Sequence, residues 1–415
     1  MIVDILARFR IQVFSAWHGL SLPSIPDRLH QVVLIGGAII VGVLGWSGDV
    51  LALPLAMTFP MLWAFSRSRV TAAFVSAGYF LAASRGLPQG VANFYASNLW
   101  SGLFLWIVAS LAFVILHAAL WTDRPGQARA LRYGAAAVLM AIPPFGIVGW
   151  AHPITAAGVV FPGWGRAGFG AAAAGLIVMT TRWWPAAAII LGGFWLWSAA
   201  MWTVPDLPEG WRGVDLEHGK KLGRDTSLEQ QRDLSATVKH ATREGARFIV
   251  LPESALGFWT PTVEQFWQRE LATSRLTVIA GAAVVERTGY DNVLVAISGD
   301  GGRILYHERM PVPVSMWQPW LAWNEQDGGA QAGLFANPVV ELGGRRIAPL
   351  ICYEQLIVWP VLQSMLHGPD MIVAAGNGWW TSGTSIIAIQ QASAAAWARL
   401  FNLPLVTAFN TQAEE

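Results

Sequence analysis

Cys352 is the single cysteine of this chain, and it follows directly on the apolar run Ile347-Ala348-Pro349-Leu350-Ile351. Glu253 stands in the same relation to Phe248-Ile249-Val250-Leu251-Pro252. In layered α/β proteins, reactive groups gather at the carboxyl ends of strands. A thiol there is a weak nucleophile until a base takes its proton, and a carboxylate within reach can do so. A strand-to-helix elbow at the thiol can also aim backbone N–H groups at a developing oxyanion. Glu354, two residues on, offers a second acid–base carboxyl. A plainer reading stands against this chemistry. A lone cysteine in an apolar stretch is usually a small buried hydrophobe, and Pro-Glu after a strand is often a turn. One cysteine excludes an internal disulfide framework and a cysteine-rich metal site. No metal-ligand cluster, phosphate-binding glycine loop or nucleotide site is visible, so neither metal nor cofactor is expected.

The elements that must position these groups alternate. Arg247–Leu251, Thr277–Val285, Arg346–Ile351, Met371–Ala375 and Leu405–Phe409 read as strands, and 262–274, Leu356–Leu366 and 385–402 as helices. Asn292–Ser298 and Arg303–His307 flank Gly299-Asp300-Gly301-Gly302, a hairpin signal. This order predicts a layered α/β domain over residues 205–415.

Before residue 205 the chain changes character. Charged residues are 13% of the whole, against about 25% in an average soluble protein, hydrophobic residues are 54%, and there are 23 Trp. Disorder, collagen and a coiled coil are excluded on these figures, a wholly soluble protein is not expected, and a net charge of +1 gives no ground for bulk nucleic-acid binding. Seven apolar runs, about 31–46, 50–65, 70–84, 99–121, 133–150, 167–181 and 184–204, predict a transmembrane bundle over residues 31–204. Only 99–121 and 184–204 reach the ~20 residues of a straightforward span. With the N-terminus inside, Arg8, Arg10, Arg28, Arg67, Arg69, Arg124, Arg129, Arg132 and Arg182 fall on the cytoplasmic side, and only Arg85 and Arg166 opposite. That bias favours the odd count and puts the α/β domain outside, in the periplasm of a Gram-negative cell. A free thiol is open to oxidation there, which argues that Cys352 has a use. Residues 1–30 read as an interfacial segment, with Ile2, Ile5, Leu6, Phe9, Val13 and Trp17 near one helical face. His117, deep in a span, reads as packed or snorkelling rather than functional.

Leu251-Pro252-Glu253-Ser254-Ala255, Ile351-Cys352-Tyr353-Glu354 and Ala375-Gly376-Asn377-Gly378-Trp379-Trp380 together resemble motifs of the nitrilase, or carbon-nitrogen hydrolase, superfamily. With a membrane bundle ahead of them, the layout resembles apolipoprotein N-acyltransferase from roughly residue 30 onward. That resemblance implies an αββα sandwich. It implies transfer of an acyl chain from a phospholipid, through a Cys352 thioester, to a lipoprotein amine. It makes Glu253 the general base, Cys352 the nucleophile and Glu354 a supporting carboxylate.

The chain departs from that pattern. The family's oxyanion-stabilising lysine, in a Tyr-x-Lys motif after the hairpin, aligns with Glu308 in Tyr306-His307-Glu308, and no lysine follows Lys239. Arg309 is one residue away and would substitute only if a bulge turned it to the same face. Val314-Ser315-Met316 stands where the family has a further carboxylate. The sandwich is expected to lack its last strands, because the sequence stops soon after Phe409. The segment Tyr306–Trp320, with Met310-Pro311-Val312-Pro313 and Trp317-Gln318-Pro319-Trp320, resembles the TraB branch of plasmid-transfer proteins. That implies a role in conjugation with weak or absent acyltransferase chemistry. An active N-acyltransferase and a non-catalytic scaffold of the transfer apparatus stay open. The expected partners are membrane lipid, a phospholipid acyl donor, and a lipoprotein or transfer-apparatus subunit, with no direct contact to nucleic acid. Trp317, Trp320 and Trp323 read equally as a membrane-facing lid or as a loop packed on its own domain.

Overall fold

The computed structural model describes residues 26–223, 227–243, 245–324 and 326–412. The interfacial helix expected near the N-terminus lies outside these residues.

Apolar runs become helices at close to their expected places: Asp27–Gly45, Phe59–Ala64, Arg69–Ala83, Leu99–Leu120, Gln127–Ala141, Gly165–Val178 and Trp184–Ala200. Their lengths differ from expectation. Asp27–Gly45 and Leu99–Leu120 are long and apolar enough to cross a membrane. A third span results if Arg69–Ala83 and Leu87–Tyr95, bent by 51° at their junction, act together. The last run stops at Ala200 after 17 residues, or about 26 Å at the α-helical rise of 1.5 Å per residue. The 50–65 run divides into a 3₁₀ segment, Val50–Thr58, and a short α-helix, because Pro54 supplies no N–H to the ladder. Gln127–Ala141 ends ahead of Pro143, which disfavours the helical region for the residue before it.

Outward faces stay apolar, with Trp100, Phe104, Ile115, Ile189 and Leu196 all well exposed. Such faces are stable against hydrocarbon, where a helix meets its own backbone hydrogen bonds. His117 is buried, and its Nδ1 lies 2.8 Å from the Phe113 carbonyl. It packs inside the helices rather than reaching for the surface.

Among the described residues nine strands form two sheets. The first runs β1 (Trp211–Gly213), β2 (Phe248–Val250), β3 (Thr277–Glu286), β4 (Gly289–Ser298), β5 (Gly301–His307). Its first three strands are parallel and its last two antiparallel. The second runs β6 (Val340–Leu342), β7 (Arg345–Ile351), β8 (Met371–Asn377), β9 (Leu405–Asn410). Here β6 is antiparallel to β7, and β7, β8 and β9 are parallel.

Strand alternation builds the layers. In β3, Val278, Ala280 and Ala282 face the helices Leu228–Arg243 and Pro261–Leu271, while Ile279 faces the other sheet. In β7, Ile347 and Ile351 meet Ile279 and Leu294 between the sheets, while Ala348 and Leu350 face the helices Val358–Leu366 and Ile386–Phe401. The result is an αββα sandwich. Its outer helix, Ile386–Phe401, packs in turn on the apolar helices, so that Ala392, Ala396 and Leu400 share one core with Val159, Phe161 and Leu176. Gly158 makes that contact possible, since a Cβ there would lie 1.6 Å from the Ala396 carbonyl oxygen.

Candidate active site

The two junctions singled out by sequence meet between the sheets. Cys352 follows β7, and its φ of +43° is a left-handed conformation that a non-glycine residue adopts only when the fold enforces it. The next residues, Cys352–Gln355, form one 3₁₀ turn, giving a strand–elbow–turn that holds the thiol at the sheet's end. Glu253 sits in the turn after β2. Gly281 of β3 lets that turn close on the sheet, since a Cβ there would lie 2.4 Å from the Glu253 Cα.

Glu253 and Cys352 are both buried, and each shifts the other's ionisation. Glu253 Oε1 accepts from Asn292 Nδ2 at 2.8 Å, and Oε2 accepts from the Asn377 backbone N–H at 3.1 Å. Gln390 Nε2 approaches Cys352 Sγ at 3.7 Å. Burial, and then the charges of Glu253 and Glu308, push the thiol well above its ordinary range. Burial also raises the Glu253 carboxyl. The resting site therefore holds a thiol beside a carboxyl. Such an arrangement can pass the thiol proton to Glu253 at the moment of attack and does not need a standing thiolate.

Glu354 does different work. Its Oε1 accepts from Tyr306 Oη at 2.7 Å and from the Arg309 backbone N–H at 2.9 Å. Its Oε2 accepts from the Ile351 N–H at 2.8 Å and lies 2.9 Å from the same Tyr306 hydroxyl. Arg309 Nε is 3.4 Å from Oε1. A carboxylate saturated in this way anchors the backbone on the β7 side of the elbow.

The bulge that sequence reasoning required for Arg309 exists. Leu294 pairs with Tyr306 and Val295 with Ile304, leaving Leu305 as the extra residue. Arg309 nevertheless lies past the end of β5 with its donors engaged elsewhere. Nε donates to Tyr306 Oη, Nη1 to the Pro360 carbonyl and Gln363 Oε1, and Nη2 to the Pro349 carbonyl. Glu308, at the family's lysine position, turns the other way. Its Oε2 accepts from Asn292 Nδ2 at 2.7 Å. One amide nitrogen thus serves both Glu253 and Glu308.

Asn292, Gln390 and Tyr306 were not picked out as site residues from the sequence, and Asn377 only as part of a motif. The usable signal is a polar residue on a buried face: Asn292 begins the run Asn292-Val293-Leu294-Val295, and Gln390 interrupts an apolar helix. Trp317 packs with Met310, Tyr353 and Trp359 against Ile147 and Trp150 of the helical region. Tyr353 Oη, next to Cys352, donates to the Ile147 carbonyl at 2.9 Å. Trp320 is partly exposed, and the Trp323 side chain lies outside the described set. No cluster of metal-ligating side chains occurs among the described residues.

The carbon-nitrogen hydrolase family model matches residues 81–399, which takes in both junctions. The chain belongs to the carbon-nitrogen hydrolase family. Within that family it is 63% identical, over 99% of its own length and all of the relative's, to the conjugal transfer protein TraB of Agrobacterium fabrum. It is 61% identical, over 93% of its length and 99% of the relative's, to a probable conjugal transfer protein TraB of Sinorhizobium fredii. Similar solved structures include an amidase from Nesterenkonia sp., at 15% identity and a TM-score of 0.36 over 50% of this chain and 79% of that one. A carbon-nitrogen hydrolase from Helicobacter pylori matches at 13% identity and a TM-score of 0.36 over 48% of this chain and 72% of that one.

Proposed function

We propose that this carbon-nitrogen hydrolase family member is an inner-membrane, multi-pass protein that supports conjugal plasmid transfer. Its α/β domain faces the periplasm, over residues 205–415, and transfers an acyl group through Cys352. The observation that carries the chemistry is the burial of Glu253 and Cys352 together, with the thiol at a strained elbow. The conjugation role is supported by full-length similarity to the TraB proteins. The membrane placement is supported by two apolar helices of spanning length and by the arginine bias.

In the proposed reaction Glu253 takes the Cys352 proton while Sγ bonds to the carbonyl carbon of a phospholipid ester. The carbonyl π electrons move onto oxygen. Collapse of that intermediate breaks the ester C–O bond, and Glu253 returns its proton to the departing alcohol. An amine on a lipoprotein or transfer-apparatus subunit then takes the acyl group from the thioester, and the thiol regains its proton. Nucleic acid has no direct part in this scheme.

A second reading, a scaffold that retains the fold without the reaction, is favoured by Glu308 standing where the family has a cation. One experiment separates the two. A deletion strain is complemented with the wild-type gene or with Cys352→Ala, transfer frequency is scored, and the Cys352 peptide is weighed before and after neutral hydroxylamine. A hydroxylamine-labile acyl mass together with loss of transfer in Cys352→Ala supports acyl transfer. Full transfer by Cys352→Ala with a bare thiol in the wild type establishes the scaffold. Unchanged transfer on deletion removes the conjugation role.

A further inference from the structure

Glu308 poses a physical problem that the rest of the site does not solve. It is 2% exposed, and Asn292 Nδ2 is its one hydrogen-bond donor among the described residues. That same nitrogen holds Glu253 Oε1. Two neighbouring carboxyls on one amide cannot both carry a charge at modest cost. Among the described residues no cation intervenes. The guanidinium of Arg309 is bound to Tyr306, Glu354, Gln363 and two carbonyls. Glu253 has first claim on the negative charge, because it accepts from both Asn292 Nδ2 and the Asn377 N–H. Glu308 Oε1, meanwhile, is buried with no hydrogen-bond partner among the described residues. An anionic oxygen in that state would lose its hydration for nothing, whereas a hydroxyl there has a proton to offer. Burial, and then the charges of Glu253 and Glu354, push the Glu308 carboxyl well above the usual range. Asn292 Nδ2, at 2.7 Å from Glu308 Oε2 and 2.8 Å from Glu253 Oε1, puts the two carboxyls in one site.

We propose that Glu308 is kept as a neutral carboxylic acid and that its O–H is the donor to the oxyanion formed when an acyl group is attacked by Cys352. This rests on the reading of Cys352 as an acyl nucleophile. Glu308 keeps its proton throughout. The electron pair displaced from the carbonyl is stabilised by the O–H donor and returns when the leaving group departs. A neutral acid thereby occupies the place of the family's ammonium group, and the charge reversal suggested by the sequence does not arise. The titratable groups that bear on Glu308 are Glu253 from the β2 turn and Cys352 and Glu354 from the β7 turn, whereas Tyr306 and Arg309 of its own segment turn to Glu354. Among these, the Glu253–Glu308 pair works when it holds one proton. The acylation rate should therefore fall on the acid side as Glu253 protonates and on the alkaline side as Glu308 ionises.

The test uses the full chain in detergent, with two probes of Cys352. p-Nitrophenyl butyrate acylates through an oxyanion, and iodoacetamide alkylates without one. Glu308→Ala should slow acylation by about a hundredfold or more while leaving alkylation within a few-fold. Glu308→Gln keeps a neutral donor. It should recover most of the acylation rate and lose the alkaline fall. Infrared difference spectra at neutral pH should show the carbonyl stretch of a buried carboxylic acid in the wild type and not in Glu308→Gln. Equal acylation in wild type and Glu308→Ala, or no such band, overturns the proposal. A wild-type chain that alkylates but never acylates overturns the acyl-transfer reading and the donor role with it. A loss shared by both reagents in Glu308→Ala, with Glu308→Gln no better, overturns the donor role in favour of a structural one.

Discussion

Asn292 is the residue on which the site's electrostatics turn. Its single amide nitrogen bonds two carboxyl groups, and its removal would leave both with fewer partners in a buried place. Asn292→Ala should cost about 1–3 kcal/mol of stability and lower Cys352 acylation more than Cys352 alkylation, checked by melting and by the two-reagent comparison. Glu354 makes a contrasting prediction. Glu354→Gln leaves the Arg309 guanidinium buried without its carboxylate, and breaking a buried pair from one side costs about 3–5 kcal/mol. The expected outcome is a lower melting temperature. The alkaline limit of whatever acylation remains should move to lower pH, because the Glu354 charge helps to hold the proton on Glu308. A third outcome concerns Glu308. A carboxyl raised in the folded state binds more protons there than in the unfolded chain, so its contribution is fully present below the unfolded pKa and is lost as pH rises. Thermal stability should therefore decline from mildly acidic toward alkaline pH, and Glu308→Gln should flatten that decline.

At the scale of elements, the two junctions depend on close backbone approach. Gly281 lets the Glu253 turn lie on β3, and adding a methyl group there forces backbone against backbone. Gly281→Ala is expected to cost about 1–3 kcal/mol and to uncouple Glu253 from Cys352, seen as slower acylation with alkylation retained. The elbow itself is held by Glu354 through the Ile351 N–H. The bulge at Leu305 lies just ahead of the segment in which Glu308 turns toward Asn292 and Arg309 toward Glu354. Neighbouring residues thus reach different partners within one buried region, which strict strand alternation does not allow.

At the scale of the molecule, the helical region and the sandwich share a core. Helix Ile386–Phe401 presents Gln390 to Cys352 on one side and Ala392, Ala396 and Leu400 to the apolar helices on the other. A chain beginning at residue 205 would uncover that face. Contiguous apolar surface of this kind promotes association, so the fragment should aggregate on size-exclusion chromatography where the full chain in detergent does not. The same coupling, with the Tyr353–Ile147 hydrogen bond, ties the residue beside Cys352 to the helical region.

Period and punctuation in the sequence determined a good deal of this protein. Apolar runs and the residues that interrupt them located most of the helices and strands, and the ends of two runs placed Glu253 and Cys352. Those are local properties, readable wherever one face of an element is buried. Short pieces with weak periodicity, β1 and β6, were missed, as was the polar helix Leu228–Arg243. Tertiary structure alone decided which polar groups meet. Asn292 and Gln390 come from a strand and a helix with no motif of their own, and pairing across sheets and layers brings them to the thiol and the carboxyls. It also decided the fate of the charge at Glu308. In sequence, a carboxylate in place of a lysine reads as a reversed sign. In the fold, burial beside Glu253 with no free cation sets its protonation, because the energy of a charge depends on its surroundings and not on its residue type.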